Sequence, residues 1–279
     1  MSRPRQHRLA LKAGLLLTVV SAVSPTASAE PVDVELILAV DVSLSMSPEE
    51  LAIQRDGYAA AFTSDQVIQA IKDGVHGKIA VTYMEWAGAT VHHVIVPWTV
   101  VSNRQEAEAI ADRLTLNPPN SARRTSISGA LAFAGALFDE SPFRGMKRVI
   151  DISGDGPNNQ GGRIAPVRDA LVAKGITING LPLMTSGGYS SVYDIADLDI
   201  YYERCVIGGP GAFMISVNDW AQFPEAVRRK LVLELARRPA PEEWARAIPA
   251  HYNLVARDPA DCEIGEKMWR ERSWMWGNQ

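Results

Sequence analysis

The chain has 279 residues, hydrophobic side chains at 47% of its positions and a formal net charge of −4. Its length is enough for one α/β domain with a full core. Residues 1–29 carry four basic and no acidic side chains, so their removal would leave a net charge of about −8, which argues against nucleic-acid or anionic-membrane partners.

The N-terminal segment has the pattern of a secretory signal peptide. A basic stretch at residues 1–12 precedes an apolar run at 13–23, and Ala27-Ser28-Ala29 supplies the small residues of a cleavage site. The apolar run is short for a membrane-spanning helix, although an N-terminal anchor is the alternative. We predict cleavage after Ala29, export to the periplasm or the cell exterior, and no membrane span in the mature chain.

Beyond residue 30, strand-like and helix-like segments alternate. Strands are predicted at 34–40, 78–86, 91–96, 148–152, 176–183 and 212–217, and helices at 48–62, 103–114, 126–138, 164–174 and 221–237. Residues 185–204 look irregular. This alternation predicts a doubly wound, mostly parallel sheet with helices on both faces. The hairpin-like pair at 78–96 adds one antiparallel edge strand, and the domain is expected to span 30–237.

Residues 238–279 form a distinct, Trp-rich C-terminal extension. It holds four of the seven tryptophans, namely Trp244, Trp269, Trp274 and Trp276. The extension is expected to pack its aromatic side chains on the domain, and the alternative is an exposed partner-binding segment.

Two cysteines occur, Cys205 and Cys262. In an oxidising compartment they are expected to form one disulfide, worth about 4 kcal/mol on the chain-entropy model. Two separate buried thiols are the alternative.

Oxygen-bearing side chains follow the first predicted strand directly. Asp41, Ser43 and Ser45 stand at alternate positions in Asp-Val-Ser-Leu-Ser. One carboxylate and two hydroxyls suit a small, hard cation such as Mg²⁺. The motif is short, and an ordinary Asp/Ser cap before a helix would give the same residues.

Two later segments place more oxygen ligands at the same edge of the predicted sheet. Thr125 precedes the helix predicted at 126–138, and Asp155 follows the strand predicted at 148–152. Because ligands of doubly wound sheets bind at the carboxyl ends of strands, the three loops are expected to form one metal site.

With these five positions the sequence resembles the von Willebrand factor A (vWA) family and its metal-ion-dependent adhesion site, over residues 33–236. More narrowly, the segments 41–46, 83–86, 151–159 and 205–213 are similar to a group of exported bacterial vWA-like proteins of unassigned function (DUF1194-like). The resemblance implies that Ser43 and Ser45 bind Mg²⁺ (or Mn²⁺ or Ca²⁺) directly, and that Thr125 binds it directly in a ligand-competent state and through water otherwise. It implies that Asp41 and Asp155 act mainly through water, and that an Asp or Glu carboxylate of another protein fills the open coordination position.

Four further residues are possible rim residues of this site: Glu85, Trp86, Asn158 and Asn159. The expected function is metal-dependent protein binding without catalysis. One alternative is a Mg²⁺-assisted hydrolase, although the sequence lacks the G-x-S-x-G, H-E-x-x-H and phosphate-loop motifs. The other is a structural subunit in which the metal only ties loops together.

Overall fold

The computed structural model describes residues 29–116, 118–185, 194–236, 248–249 and 261–276. The predicted signal peptide lies outside the described residues except for Ala29, as does most of the C-terminal extension before residue 261. The strands are β1 (Glu30–Asp41), β2 (Ile79–Trp86), β3 (His92–Val101), β4 (Phe143–Gly154), β5 (Ile176–Pro182), β6 (Phe213–Met214) and β7 (Ile248–Pro249). The helices are α1 (Pro48–Phe62), α2 (Asp65–Lys72), α3 (Arg104–Thr115), α4 (Ile127–Asp139), α5 (Ile164–Ala173), α6 (Leu198–Tyr201), α7 (Phe223–Leu235) and α8 (Ile264–Trp276). None of the helices in these ranges is both long and apolar enough to cross a membrane.

The strands of the described ranges form one sheet in the order β3-β2-β1-β4-β5-β6-β7. Every pair from β2 to β6 is parallel, and β3 and β7 join the two edges in antiparallel orientation. The mostly parallel α/β sheet and its antiparallel edge strand β3 are therefore confirmed. Strand order reverses around β1, whose neighbours are β2 and β4, so the carboxyl ends of these strands border the crevice where such sheets bind ligands.

Both faces of the sheet are buried, as strand β1 shows. Leu36, Leu38 and Val40 pack into one core with α1, α2, α3 and α7, whereas Ile37 and Ala39 pack into a second core with α4, α5 and α6. Alternate side chains of a strand point to opposite faces. The continuous apolar run of β1 is typical of a central parallel strand covered on both sides.

Several predicted boundaries differ from the structure. β1 and β4 begin earlier than predicted, because polar residues occupy the first half of each strand. In β1, Asp33 and Glu35 accept backbone hydrogen bonds from Val75 at 2.7 Å and Gly145 at 2.8 Å, respectively. β3 continues through Pro97, which an edge strand tolerates because no ladder hydrogen bond is lost there.

Three helical segments were not predicted, namely α2, α6 and α8. α2 follows its cap Ser64 directly after α1. Within the segment predicted to be irregular, α6 continues as a π-helical turn at Tyr202–Val206.

A disulfide joins Cys205 in this π-helical turn to Cys262 just before α8, with the two Cα atoms 5.5 Å apart. The predicted pairing of the cysteines is confirmed. It attaches residues 261–276 covalently to the body of the domain.

A buried ion-pair cluster ties α7 to the sheet. Lys230 is fully buried, and its Nζ lies 2.7 Å from Asp151 Oδ1 and 2.5 Å from Glu234 Oε1. Asn179 of β5 donates a further hydrogen bond to Glu234 at 3.0 Å. Because two buried carboxylates face one ammonium group, burial and the nearby Glu234 raise the pKa of Asp151 to about 7.

Candidate metal centre

The loop between β1 and α1 brings three of the predicted ligands together. Asp41 is the last residue of β1, and its Oδ1 accepts a hydrogen bond from the Ser43 backbone N–H at 2.8 Å. The Ser43 and Ser45 hydroxyl oxygens are 2.9 Å apart. Ser47 then caps α1 through a capping box with Glu50, so the loop is held at both its ends.

The fourth predicted ligand comes from the neighbouring strand. β4 runs parallel to β1 up to the pair Val40–Ser153, and Asp155 follows its last residue. The Ser45 hydroxyl donates a hydrogen bond to Asp155 Oδ1 at 2.9 Å. One continuous hydrogen-bonded chain therefore joins Asp41, Ser43, Ser45 and Asp155.

Thr125 reaches the same edge of the sheet through backbone contacts. Its N–H donates to Asn159 Oδ1 at 3.0 Å and its carbonyl accepts from Asn159 N–H at 2.9 Å. Upstream in the same loop, Ala122 accepts a hydrogen bond from Leu44 N–H at 2.9 Å and donates one to the Val42 carbonyl at 3.1 Å. The loop that carries Thr125 thus runs beside residues 42–44.

The two carboxylates are held in a strongly desolvated setting. Asp41 is fully buried, and its Oδ2 lacks a hydrogen-bond partner. Burial, followed by the nearby charge of Asp155, raises the pKa of Asp41 well above its usual range. Burial also raises the pKa of Asp155 to about 6. A cation bound here would offset the repulsion between both charges.

The chemistry of the donor set fits a hard divalent cation. The atoms that converge are two carboxylates and the hydroxyls of Ser43 and Ser45, all oxygens, and one buried oxygen of Asp41 needs a partner. In the part of the chain that the structure describes, no three His, Cys, Asp or Glu side chains group as metal ligands. The oxygen donors grouped at this edge thus include the serine hydroxyls beside the two carboxylates.

Two of the possible rim residues lie beneath the site, not on its surface. Trp86 and Glu85 are both fully buried. Arg55 donates to Glu85 Oε1 at 2.7 Å, and Asn120 donates to Glu85 Oε2 through its backbone at 3.0 Å and its side chain at 2.6 Å. Glu85 therefore anchors the start of the loop that leads to Thr125.

The other two possible rim residues are also buried and brace the site from the β4 side. Asn159 holds Thr125, as described above. Asn158 is fully buried; its Oδ1 accepts from Ser128 N–H at 3.0 Å, and its Nδ2 donates to Glu266 Oε1 at 2.7 Å. Both asparagines thus fix loop geometry and are not exposed to a ligand.

Helix α8 contacts the site loops, which sequence patterns did not reveal. The Trp269 ring lies 3.0 Å from the guanidinium carbon of Arg124, the residue before Thr125. Arg124 has a left-handed backbone with φ of 79°, uncommon outside glycine. The helix also packs closely through Gly265, where a Cβ would lie 2.2 Å from the Asn158 carbonyl oxygen. Part of the C-terminal extension therefore packs on the domain, beside the candidate site.

Tyr202 is a further buried neighbour of the site. Its hydroxyl lacks a hydrogen-bond partner, and a Cβ placed on Gly154 would lie 2.9 Å from both this hydroxyl and Asp41 Oδ2. Burial, followed by the charges of Asp41 and Asp155, raises the pKa of Tyr202. The sequence offered no signal for this contact beyond the aromatic character of residue 202.

A family model for proteins of unknown function, DUF1194, matches residues 31–239 of the chain. The chain belongs to this family. No curated protein matches it.

Solved structures share the fold at low sequence identity. Proximal thread matrix protein 1 from the mussel byssus, with a zinc-occupied MIDAS motif, matches with a TM-score of 0.52 and 15% identity over 74% of this chain and 48% of that chain. The pilus adhesin SpaC from Lactobacillus rhamnosus GG matches with a TM-score of 0.52 and 13% identity over 73% of this chain and 31% of that chain. A von Willebrand factor type A protein from Catenulispora acidiphila has a TM-score of 0.49 and 17% identity over 73% and 43% of the two chains. The chain spans less than half the length of each of these structures. The doubly wound α/β fold predicted from the sequence is shared with the first two, whose TM-scores exceed 0.5.

Proposed function

We propose that this protein binds a divalent cation at the carboxyl ends of β1 and β4 and uses it to bind an acidic group of another protein. The observation that carries the proposal is the hydrogen-bonded chain of Asp41, Ser43, Ser45 and Asp155, which ends in a buried carboxylate oxygen without a partner. An unpaired buried oxygen is unfavourable, and a cation supplies the missing interaction.

Each residue has a distinct part in this proposal. Ser43, Ser45 and Thr125 would bind the cation through their hydroxyls, while Asp41 and Asp155 would balance its charge and orient bound water. The all-oxygen set favours Mg²⁺, with Mn²⁺ and Ca²⁺ as alternatives, over metals that prefer nitrogen or sulfur. Neutral hydroxyls leave the cation with strong attraction for an outside carboxylate, which is why the partner would offer an Asp or Glu. The proposal assigns a binding role and no catalytic residue.

We place the protein in the periplasm or the cell exterior. The signal-like segment at residues 1–29 and the Cys205–Cys262 disulfide support an oxidising location.

Calorimetric titration with Mg²⁺, Mn²⁺ and Ca²⁺ tests the metal site. We expect saturable one-site binding that Ser43→Ala and Asp41→Ala abolish. Ser64→Ala is the matched control, because it removes a helix-capping hydroxyl far from the site. The absence of binding by the unmodified protein to all three cations would refute the proposal.

The role of the cation is tested separately with Thr125→Ala. If the metal binds a partner, this substitution abolishes partner binding while the fold persists. If the metal only ties loops together, Thr125→Ala lowers the free energy of unfolding and leaves partner binding intact.

A further inference from the structure

An apolar groove of about 750 Å³ opens beside the candidate metal centre. One wall comes from the β1–α1 loop and α1, and the other comes from the end of α3 and the segment after it. Most of its lining residues are apolar, among them Leu44, Met46, Leu51, Leu114, Leu116 and Pro119, and Asp56 adds a negative charge that disfavours a second anion. The groove and the proposed metal ligands share one stretch of chain, since Leu44 stands between Ser43 and Ser45.

The rim of this groove exposes two large apolar side chains. Leu44 is 50% and Leu116 is 73% exposed. In the described ranges, five large hydrophobic residues are at least 40% exposed, and these two line the same groove. Exposed apolar residues that are grouped in this way are typical of an interaction site.

Among the described residues that line the groove, none offers an available positive charge for a second anion. Arg55 lines the groove but is buried, donates to Glu85, and donates through Nη1 to the Leu114 carbonyl at 3.0 Å. The groove therefore suits an apolar group, while the adjacent cation suits a carboxylate.

We infer that the partner presents two groups to this surface: an Asp or Glu carboxylate to the cation, and an aliphatic side chain to the groove. The inference rests on the proposed function and specifies the partner further. Because Leu44 is covalently next to both serines, the two positions lie within reach of a short extended peptide at about 3.3 Å per residue. The carboxylate and the aliphatic residue thus stand within about three positions of each other in the partner.

Short capped peptides provide the probe. Each contains one Asp and one Leu separated by zero, one or two Gly, in both orders, and has a matched peptide with Ser in place of Leu. Binding is measured by fluorescence anisotropy with Mg²⁺ and with EDTA. With Mg²⁺, we expect the best Leu peptide to bind about tenfold more tightly than its Ser counterpart, from partial burial of one leucine.

Substitution on the groove rim supplies the control. Leu116→Ser should remove the preference for Leu and leave Mg²⁺ affinity unchanged, because Leu116 is exposed and is not a proposed ligand. Met146→Ser is the matched variant; Met146 is 63% exposed and lies in the first half of β4, away from the carboxyl end of the strand. It should change nothing.

The outcomes separate this inference from the proposed function. Equal Mg²⁺-dependent binding of Leu and Ser peptides overturns the groove assignment and leaves the metal proposal standing. A Leu preference that persists in EDTA overturns the coupling of groove and cation. Self-association of the protein that Leu116→Ser abolishes would assign the groove to a second copy, and binding by none of the peptides would overturn the inference altogether.

Discussion

Glu85→Gln tests how the loop beside the candidate metal centre is held. The Glu85 carboxylate is fully buried and faces the Arg55 guanidinium, with Arg55 Nη2 2.6 Å from Glu85 Oε1. Glutamine keeps the shape of the side chain but removes the negative charge opposite a residue that is only 3% exposed. Removal of one partner from a buried ion pair is expected to lower the free energy of unfolding by about 3–5 kcal/mol.

A double-mutant cycle isolates the charge interaction. Arg55→Met alone leaves the Glu85 carboxylate buried without its cation, so its effect should be similar in size. The double variant contains neither charge, and the amide oxygen introduced by Glu85→Gln still accepts hydrogen bonds from Asn120. We therefore expect the double variant to lose less stability than the sum of the single variants, by at least about 2 kcal/mol. Urea unfolding, with unchanged m-values as the check on two-state behaviour, gives the four free energies.

The same variants report on the metal centre, because Asn120 lies in the loop that pairs with Ser43 through Ala122. Each single variant should weaken Mg²⁺ binding, and the double variant should recover part of it. Additive losses of stability, or a Glu85→Gln effect below about 1 kcal/mol, would refute this account of the ion pair.

Three further substitutions test other contacts of the site and the core. Gly154→Ala places a Cβ 2.9 Å from Asp41 Oδ2, so we expect a loss of about 1–3 kcal/mol in unfolding experiments and weaker Mg²⁺ binding in calorimetry. Trp269→Ala removes the ring beside the Arg124 guanidinium and should lower stability by about 0.5–2 kcal/mol, with weaker Mg²⁺ binding. Asp151→Asn tests pH dependence: because burial raises the pKa of Asp151 to about 7, its contribution to stability is present below the pKa of an unfolded aspartate and is lost as pH rises through about 7. Stability should fall between pH 5 and 7 more steeply in the unmodified protein than in this variant.

Each of these expectations has a clear contrary result. Unchanged Mg²⁺ affinity in Gly154→Ala would show that the added methyl group is accommodated without displacing the Asp41 carboxylate. If Trp269→Ala destabilises the protein but binds Mg²⁺ normally, α8 stabilises the fold without positioning the site. Parallel pH profiles for the unmodified protein and Asp151→Asn would mean that another group dominates the titration.

Sequence patterns predict those parts of the fold and of the candidate site that depend on residues close together in the chain. The apolar run of β1 ends at Asp41, and the alternating serines follow at once, so the strand, the loop and the predicted ligands lie in one short stretch. The prediction for Asp155 rests on the same kind of signal, because this residue follows a second apolar strand. The parallel order of the sheet then brings the two strand ends together.

The parts that were missed depend on contacts between distant segments. Asp33 lies outside the predicted strand, yet within β1 it accepts a backbone hydrogen bond from Val75 of a distant segment. Glu85 looked like a rim residue because it ends a strand, but its burial follows from the ion pair with Arg55 in α1. The apolar groove likewise forms only when the segment after α3 lies against the β1–α1 loop, which no periodicity reveals.

One loop connects all the features of the proposed binding surface. Residues 118–125 line the groove at Pro119, pair with Ser43 through Ala122, and carry Thr125. Two side-chain contacts of this loop come from different parts of the fold, from Glu85 to Asn120 and from Trp269 to Arg124. Because both contacts act on the same short loop, their effects on Mg²⁺ affinity should not be additive: Glu85→Gln combined with Trp269→Ala should weaken binding by a factor that differs from the product of the single effects. Additive effects in calorimetry would mean that the two contacts act on independent parts of the site.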